Sequence, residues 1–131
     1  MIKQKANEIE QEREHILNYA NQNGFIIKPY NFFVEATYKG IYGIYANDKL
    51  VYIGQSKDVL KRYKAHMTHI INNKSEEDKC WKYDMLRFLK ENGFVISFQQ
   101  IADVGLEENL DTVEIALISN LQPLLNIAHR N

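Results

Sequence analysis

Two tyrosines, an arginine and a histidine, all within one stretch of the sequence, are the residues best suited to chemistry on a phosphate. Tyr42 and Tyr52 stand in two short apolar runs separated by turn-forming residues at 47–49, a pattern typical of a tight hairpin. Arg62 and His66 follow in a helical pattern, four residues apart, so they share one helix face. Phosphodiester hydrolysis needs a base to activate water, a cation to hold the phosphate and a group that stabilises the leaving oxygen. This stretch therefore offers candidates for a phosphate-handling site.

The elements that must position these residues can be predicted from hydrophobic periodicity. Residues 2–20 have the apolar spacing of an amphipathic helix, and residues 25–38 are typical of a short extended piece and an irregular linker. We expect this N-terminal extension over 1–38 and a compact domain over 39–131, together forming one unit. The elements predicted in the domain are hairpin strands at Ile41–Ala46 and Leu50–Gly54, a third strand at 94–101, and helices at 58–71, 79–92 and 108–121. Their order favours an α+β fold with a small, mainly antiparallel three-stranded sheet flanked by helices.

The same spacing predicts the core-facing residues. We expect Asp58 or Ser56 to cap the helix at 58–71. The residues expected on the apolar faces of the three domain helices are Leu60, Tyr63, Met67 and Ile70, then Trp81, Met85, Phe88 and Leu89, then Leu110, Val113, Leu117 and Leu121; on the third strand they are Phe94, Ile96 and Phe98.

The charge distribution bounds the kind of partner. The formal net charge of −1 argues against a chain that grips nucleic acid along its whole surface. Lys57, Lys61 and Lys64 nevertheless cluster around Arg62, which makes them candidate DNA contacts. The alternative is an ordinary solvated helix face.

The cysteine count and the length of the apolar runs exclude disulfide-bonded, zinc-thiolate and membrane-spanning classes of protein. One cysteine, Cys80, excludes an internal disulfide and a zinc site with several thiolates, and we assign it no chemical role. No apolar run approaches the length that spans a bilayer, so the sequence predicts a cytoplasmic protein without a membrane partner.

Two tripeptide motifs make the sequence similar to a known family. Gly40-Ile41-Tyr42 and Tyr52-Ile53-Gly54 stand in the two hairpin strands, and the sequence resembles the GIY-YIG endonucleases, which are named after these motifs. The further positions that match the family are Arg62 and His66 on the following helix, Glu114 on a late helix and Asn126 beyond it. A chance pair of motifs would rarely be followed by all four. The resemblance covers about two thirds of the chain and implies the GIY-YIG nuclease fold.

The first motif can be read in two frames, since Gly43 to Tyr45 also spells it. We take Gly40 to Tyr42, because this frame leaves ten positions to Tyr52, a separation typical of the family. Tyr42 and Tyr45 are three apart and face opposite sides of a strand, so both cannot line one site. Tyr45 is therefore interpreted as a packing residue.

The resemblance implies a role for each residue that handles the proton or the phosphate. Tyr42 is the general base or proton relay, activated by nearby cationic charge, and His66 takes its proton or orients it. Arg62 holds the scissile phosphate and stabilises its growing charge. Tyr52 positions a phosphate or the attacking water.

The resemblance also implies a metal ligand and a supporting residue. Glu114 is expected to anchor one divalent ion, Mg²⁺ with Mn²⁺ as a substitute, and Asn126 to support the base of the site by hydrogen bonds. Asp48 and Asp58, the acids near the hairpin, are poorly placed beside Glu114 for a two-metal centre. We therefore expect one ion per site.

Together these features predict a metal-dependent endonuclease of double-stranded DNA, of a restriction, phage or mobile-element type. Three alternatives stay open: a non-catalytic DNA-binding or interaction module with the same fold, a structure-selective repair nuclease that needs a partner, and an RNA-directed nuclease. The N-terminal helix could pack on the domain, lie along DNA or pair with a second copy to form a homodimer.

Overall fold

A computed structural model of the chain describes residues 11, 14–16, 18–28, 39–72, 81–103 and 109–126. The described elements, in chain order, are helix α1 at residues 14–16 and 18–22, strands β1 (Ile26–Lys28), β2 (Gly40–Ala46) and β3 (Lys49–Ser56), helices α2 (Val59–Ile71) and α3 (Trp81–Glu91), strand β4 (Ile96–Asp103) and helix α4 (Leu110–Leu121). The predicted α+β class is confirmed. None of the described helices is long and apolar enough to cross a membrane.

The sheet has four described strands where the sequence predicted three. Its order is β1-β4-β2-β3, with β2 antiparallel to both neighbours and β1 parallel to β4. The additional strand is the short extended piece of the predicted N-terminal extension, and its central residue Ile27 pairs with Phe98. Three residues are too few to show the alternation by which strands are recognised. The strand count was therefore wrong, while the mainly antiparallel character holds.

The hairpin turn is tighter than predicted. Asn47 and Asp48 have φ of +49° and +68°, and Lys49 already belongs to β3. Two consecutive left-handed residues match the twist of a two-residue hairpin, and Asn and Asp tolerate this conformation best after glycine. The Asn47 side chain also accepts a hydrogen bond of 2.8 Å from the Val95 amide, which ties the turn to the chain that enters β4.

The core lies on both faces of the sheet. The larger cluster packs the face that carries Tyr42 and Ile44 against α1, α2 and α3, and the smaller cluster packs Ile41 and Ile53 against Ile118 of α4. Helix α4 contacts β3 and β2. Tyr42 and α4 are thus on opposite faces of the hairpin.

Of the fifteen predicted core residues, six are buried, five are partly buried against the core and four are exposed. Leu60, Tyr63, Met67, Ile70, Ile96 and Phe98 are buried as expected. In α3 the predicted face was only partly right: Met85 and Leu89 pack against the core, but Trp81 and Phe88 are exposed. Tyr83 and Leu86, which were not predicted, are the buried residues of this helix. Phe94 lies two residues before β4 and Leu121 is the last residue of α4, and both side chains are exposed at these element ends.

Candidate active site

Tyr42 is placed by the pairing of the two motif strands. It lies opposite Gly54 in the β2–β3 ladder, and a β-carbon at Gly54 would collide with the ring and the hydroxyl of Tyr42. Because Gly54 of the second motif has no side chain, the Tyr42 phenol can lie across β3 at this position. Only 1% of Tyr42 is exposed, so its hydroxyl is held inside the protein.

Helix α2 brings His66 to the Tyr42 hydroxyl. The Asp58 side chain caps the helix by accepting a hydrogen bond from the Lys61 amide, and Ser56 in turn accepts one from the Asp58 amide. Two turns later His66 is completely buried, with Nε2 at 2.6 Å from the Tyr42 hydroxyl oxygen. Arg62 and His66 share a helix face, as predicted, and both side chains reach the Tyr42 hydroxyl.

Arg62 contacts the same hydroxyl from the solvent side. Its Nε–H donates a hydrogen bond of 3.4 Å to the Tyr42 oxygen. Burial alone would lower the pKa of Arg62, but the hydrogen bond to Tyr42 and the proximity of Tyr42, Tyr83 and Tyr52 together outweigh burial and raise the pKa. The guanidinium therefore stays charged and is available to stabilise negative charge on the phenol oxygen.

Burial keeps both members of the Tyr42–His66 pair neutral. Burial raises the pKa of Tyr42 well above its ordinary value, Tyr52 adds to this, and Arg62 opposes it only in part. Burial lowers the pKa of His66 well below 6.5, and the charges of Lys82 and Arg62 lower it further. In the resting protein a neutral phenol therefore faces a neutral imidazole.

A β-bulge brings Tyr52 to the same face as Tyr42. Tyr45 pairs with Leu50 and Ile44 pairs with Tyr52, so Val51 has no partner residue across the ladder. Without this extra residue Tyr52 would lie across from Gly43 and point to the opposite face. With the bulge its ring centroid lies 6.4 Å from that of Tyr42 and 6.1 Å from that of His66.

The structure adds two residues of α3 that the sequence analysis missed. The Tyr83 hydroxyl lies 3.0 Å from His66 Nδ1, and the Lys82 ammonium lies 4.6 Å from the ring centroids of both Tyr52 and Tyr83. Neither residue belongs to a motif. The apolar face predicted for α3 did not include Tyr83, so no signal in the sequence placed this residue at the site.

Asn126 holds the strand that carries the second motif. Its side-chain amide accepts a hydrogen bond of 2.7 Å from the Ile53 amide and donates one of 2.8 Å to the Ile53 carbonyl. The Leu125 amide donates to the Val51 carbonyl at 2.8 Å. Asn126 thus lies along the outer edge of β3, beside Ile53, the residue between Tyr52 and Gly54.

Glu114 lies on the other side of β3. It is half-buried on α4, one turn after Asp111, whose carboxylate accepts a hydrogen bond from Gln55 at the end of β3. The structure therefore brings Tyr42, Tyr52, Arg62 and His66 together, whereas Glu114 lies on the helix that packs against the opposite face.

The candidate DNA-contacting lysines differ in their surroundings. Lys57 and Lys61 are exposed at the start of α2, beside the end of β3. Lys64 is half-buried, and its ammonium lies 3.0 Å from Nε2 of His15 in the N-terminal part of the chain. Lys57 and Lys61 are thus the better exposed of the three.

The acidic and imidazole side chains are dispersed. Among the described residues, no group of three or more His, Cys, Asp or Glu side chains is gathered closely enough to hold a metal ion. A metal centre built within the described part of the chain would therefore use few protein ligands.

These features define a class of protein. Residues 38–123, about two thirds of the chain, match the model of the GIY-YIG catalytic domain, and the chain belongs to this family, which confirms the resemblance found in the motifs. Among curated proteins it is similar to Endonuclease II of Enterobacteria phage T4, with 33% identity over 89 residues. This match covers 66% of the chain and 65% of the phage protein, so it spans just under two thirds of that relative's length. A solved structure of a bacteriophage T4 EndoII mutant matches with 21% identity and a TM-score of 0.48, covering 86% of this chain and 99% of the other.

Proposed function

We propose that the chain is a metal-dependent endonuclease that hydrolyses phosphodiester bonds of double-stranded DNA. The observation that carries the proposal is the 2.6 Å contact between the Tyr42 hydroxyl and His66 Nε2, with Arg62 donating to the same hydroxyl. A phenol in this position has a base to take its proton and a cation to stabilise its anion. Membership of the family supports a nuclease, and the phage relative favours a phage-type enzyme among the roles that the sequence left open.

The proton route begins at Tyr42. Its O–H bond breaks as the proton passes to Nε2 of His66, and the phenolate then removes a proton from a water molecule. The oxygen of that water attacks the phosphorus, and the bond between phosphorus and the leaving oxygen breaks. Since burial raises the pKa of Tyr42, the phenolate is a stronger base than a solvated one, and Arg62 stabilises it while it exists.

Arg62 has a second task, at the phosphate. A guanidinium carries five N–H donors in a fixed fork. Arg62 uses Nε–H toward Tyr42, and its terminal nitrogens are suited to a phosphate oxygen that accumulates charge during the reaction. One side chain would thus align the phosphate with the water that Tyr42 activates.

Glu114 is the residue that would hold the divalent ion. Mg²⁺ retains several waters and needs only one or two carboxylates, so a single half-buried acid fits the dispersed acids of the described residues. When bound, the ion supplies Lewis-acid stabilisation of the leaving oxygen. Mn²⁺ prefers similar oxygen ligands and is expected to substitute.

The positions of Glu114 and Tyr42 define where the scissile phosphate would lie. The two residues are on opposite faces of the hairpin, and β3, which separates them, is the edge strand of the sheet. A phosphate that approaches both must lie at this edge, near Gly54. The exposed Lys57 and Lys61 at the start of α2 would then contact neighbouring phosphates.

A plasmid assay tests the proposal. Supercoiled plasmid incubated with the protein and Mg²⁺ is expected to be nicked or linearised, and Glu114→Gln is expected to lower the rate by at least about 100-fold, because a neutral amide is a poor ligand for Mg²⁺. The matched control is Glu91→Gln, the same change at an exposed acid at the end of α3. It should cut like the wild type.

Two results would contradict the proposal. Failure of the folded wild-type protein to cut DNA with either Mg²⁺ or Mn²⁺ would favour a binding module. Equal cutting by the Glu114 and Glu91 variants would remove Glu114 from the metal site.

A further inference from the structure

Tyr83 contacts Nδ1 of His66, the ring nitrogen that the proposed proton route does not use. Its hydroxyl lies 3.0 Å from Nδ1, while Tyr42 lies at Nε2 on the other side of the ring. Tyr83 is 5% exposed and His66 is fully buried. The imidazole is therefore held between two phenols, one from β2 and one from α3.

A neutral imidazole must donate to one of these phenols and accept from the other, because it has one protonated and one unprotonated nitrogen. Hydrogen bonds donated by O–H groups are typically shorter than those donated by N–H groups, at about 2.7–2.8 Å against about 2.9–3.0 Å for an oxygen acceptor. The 2.6 Å contact fits a Tyr42 O–H that donates to Nε2, and the 3.0 Å contact fits an Nδ1–H that donates to Tyr83.

The surroundings of His66 favour its neutral form. The titratable and charged groups that face it are Tyr42 from β2, Tyr52 from β3, Arg62 and His69 from α2, and Lys82 and Tyr83 from α3. The remaining ring contact is with Phe98 of β4, which is apolar. With two cations and no carboxylate in this set, the imidazole stays neutral and its tautomer decides which nitrogen can act as a base.

We propose that Tyr83 is a positioning residue whose hydroxyl oxygen accepts the Nδ1 proton of His66 and thereby keeps Nε2 unprotonated and directed at Tyr42. Tyr83 touches neither the substrate nor the reacting water. Its effect on cleavage rests on the proposed nuclease function, whereas its effect on the His66 tautomer does not.

Tyr83→Phe removes the oxygen and keeps the ring. Loss of such a supporting hydrogen bond typically lowers activity by about 10–100-fold. We expect a loss of this size in kcat with little change in KM for DNA, because the removed hydroxyl would act on the imidazole of His66 and not on the bound DNA.

The control is Tyr63→Phe. Tyr63 is also fully buried and packs edge-on against Tyr42 at 5.9 Å between ring centroids, but its hydroxyl has no hydrogen-bond partner in the described part of the chain. Tyr63→Phe, like Tyr83→Phe, removes a tyrosine hydroxyl oxygen from the larger core cluster, but it leaves the hydrogen bonds of His66 unchanged. We expect Tyr63→Phe to keep the wild-type cleavage rate.

The tautomer can be measured without any cleavage. Long-range proton–nitrogen NMR spectra of protein with ¹⁵N-labelled histidine distinguish Nδ1–H from Nε2–H. At pH 7.5 we expect His66 in the wild type and in Tyr63→Phe to be the Nδ1–H form, and Tyr83→Phe to show a mixture or the Nε2–H form. An Nε2–H form in the wild type, or an unchanged spectrum in Tyr83→Phe, would overturn the proposal.

A double-mutant cycle on the cleavage rate completes the test. In a His66→Gln background, Tyr83→Phe should cause no further loss, since its effect acts through the imidazole. An equal loss in both backgrounds would mean that Tyr83 acts only through the fold. If no form of the protein cuts DNA, the proposed nuclease function fails and the NMR result alone decides the role of Tyr83.

Discussion

At the scale of single residues, the site combines groups whose charged forms are suppressed. Tyr42 and His66 are both buried and neutral, and the nearest charge on their hydrogen-bond chain is Arg62. The proposed proton transfer between the pair would create a phenolate beside that cation. Burial makes this phenolate costly, and Arg62 offsets part of the cost through its hydrogen bond and charge.

The lowered pKa of His66 has a consequence for stability that can be measured. In the pH interval between the folded-state pKa of His66 and about 6.5, the unfolded chain binds a proton that the folded chain does not. The free energy of unfolding must therefore fall as the pH falls through this interval, by up to about 1.4 kcal/mol per pH unit.

Urea unfolding at pH 7.5 and pH 5.5 checks this prediction. The wild type should lose more stability over this range than His66→Gln, which has no titrating group at this position. Parallel losses in the two proteins would show that His66 titrates normally in the fold.

At the scale of elements, the hairpin and α2 follow from the sequence. Asn47 and Asp48 predict a turn, Asp58 predicts a helix start, and the spacing of Leu60, Tyr63 and Met67 predicts the buried face; all three predictions are confirmed. Each depends on local chemistry, which a sequence displays directly.

The features that could not be predicted depend on contacts between distant segments. The bulge at Val51 is defined only by the pairing of β3 with β2, and Ile27 becomes part of a strand only because β4 lies beside it. Helix α3 has apolar residues on more than one side, so its buried face is decided by packing on α2 and β4 and not by periodicity. Tyr83 was missed for this reason.

Gly54→Ala tests how the hairpin places the phenol. The added methyl would meet the ring of Tyr42, which is itself wedged against His66, so one of them must move. We expect a loss of about 1–3 kcal/mol in the free energy of unfolding, typical of overpacking, and a loss of cleavage as the Tyr42–His66 contact opens.

Gly43→Ala is the matched control on the neighbouring strand. A methyl there would meet the flexible ends of Ile101 and Leu50, which can shift, and would lie 3.1 Å from the edge of the Tyr45 ring, which must move slightly. It should lose less stability and keep its activity. Equal effects of the two substitutions would argue against a special role for the Gly54 position.

At the scale of the whole molecule, the N-terminal segment is part of the domain core. Ile16 and Ala20 of α1 and Phe25 before β1 are buried together with residues of the sheet and of α2. The described part of α1 thus uses its apolar face within its own chain. A homodimer through the N-terminal helix stays a prediction, and it would have to use other residues of that segment.

Ile16→Ala measures this contribution. Ile16 is fully buried, and truncating such a side chain to alanine is expected to lower the free energy of unfolding by about 2–5 kcal/mol. Asn18→Ala, at an exposed position of the same helix, is the control and should change stability by less than about 0.5 kcal/mol. Urea denaturation of both variants makes the comparison, and equal stabilities would mean that α1 is dispensable for the fold.

The pairing of Asn126 with Ile53 also covers part of a sheet edge. An edge strand normally presents unpaired amide and carbonyl groups that can extend a sheet into a neighbouring chain. On β3 the Leu125 amide occupies the Val51 carbonyl, and the Asn126 side chain occupies both the amide and the carbonyl of Ile53. The edge proposed to receive DNA is therefore protected against intermolecular strand pairing. Resistance to aggregation through this edge would then depend on Asn126 and on the Leu125 amide.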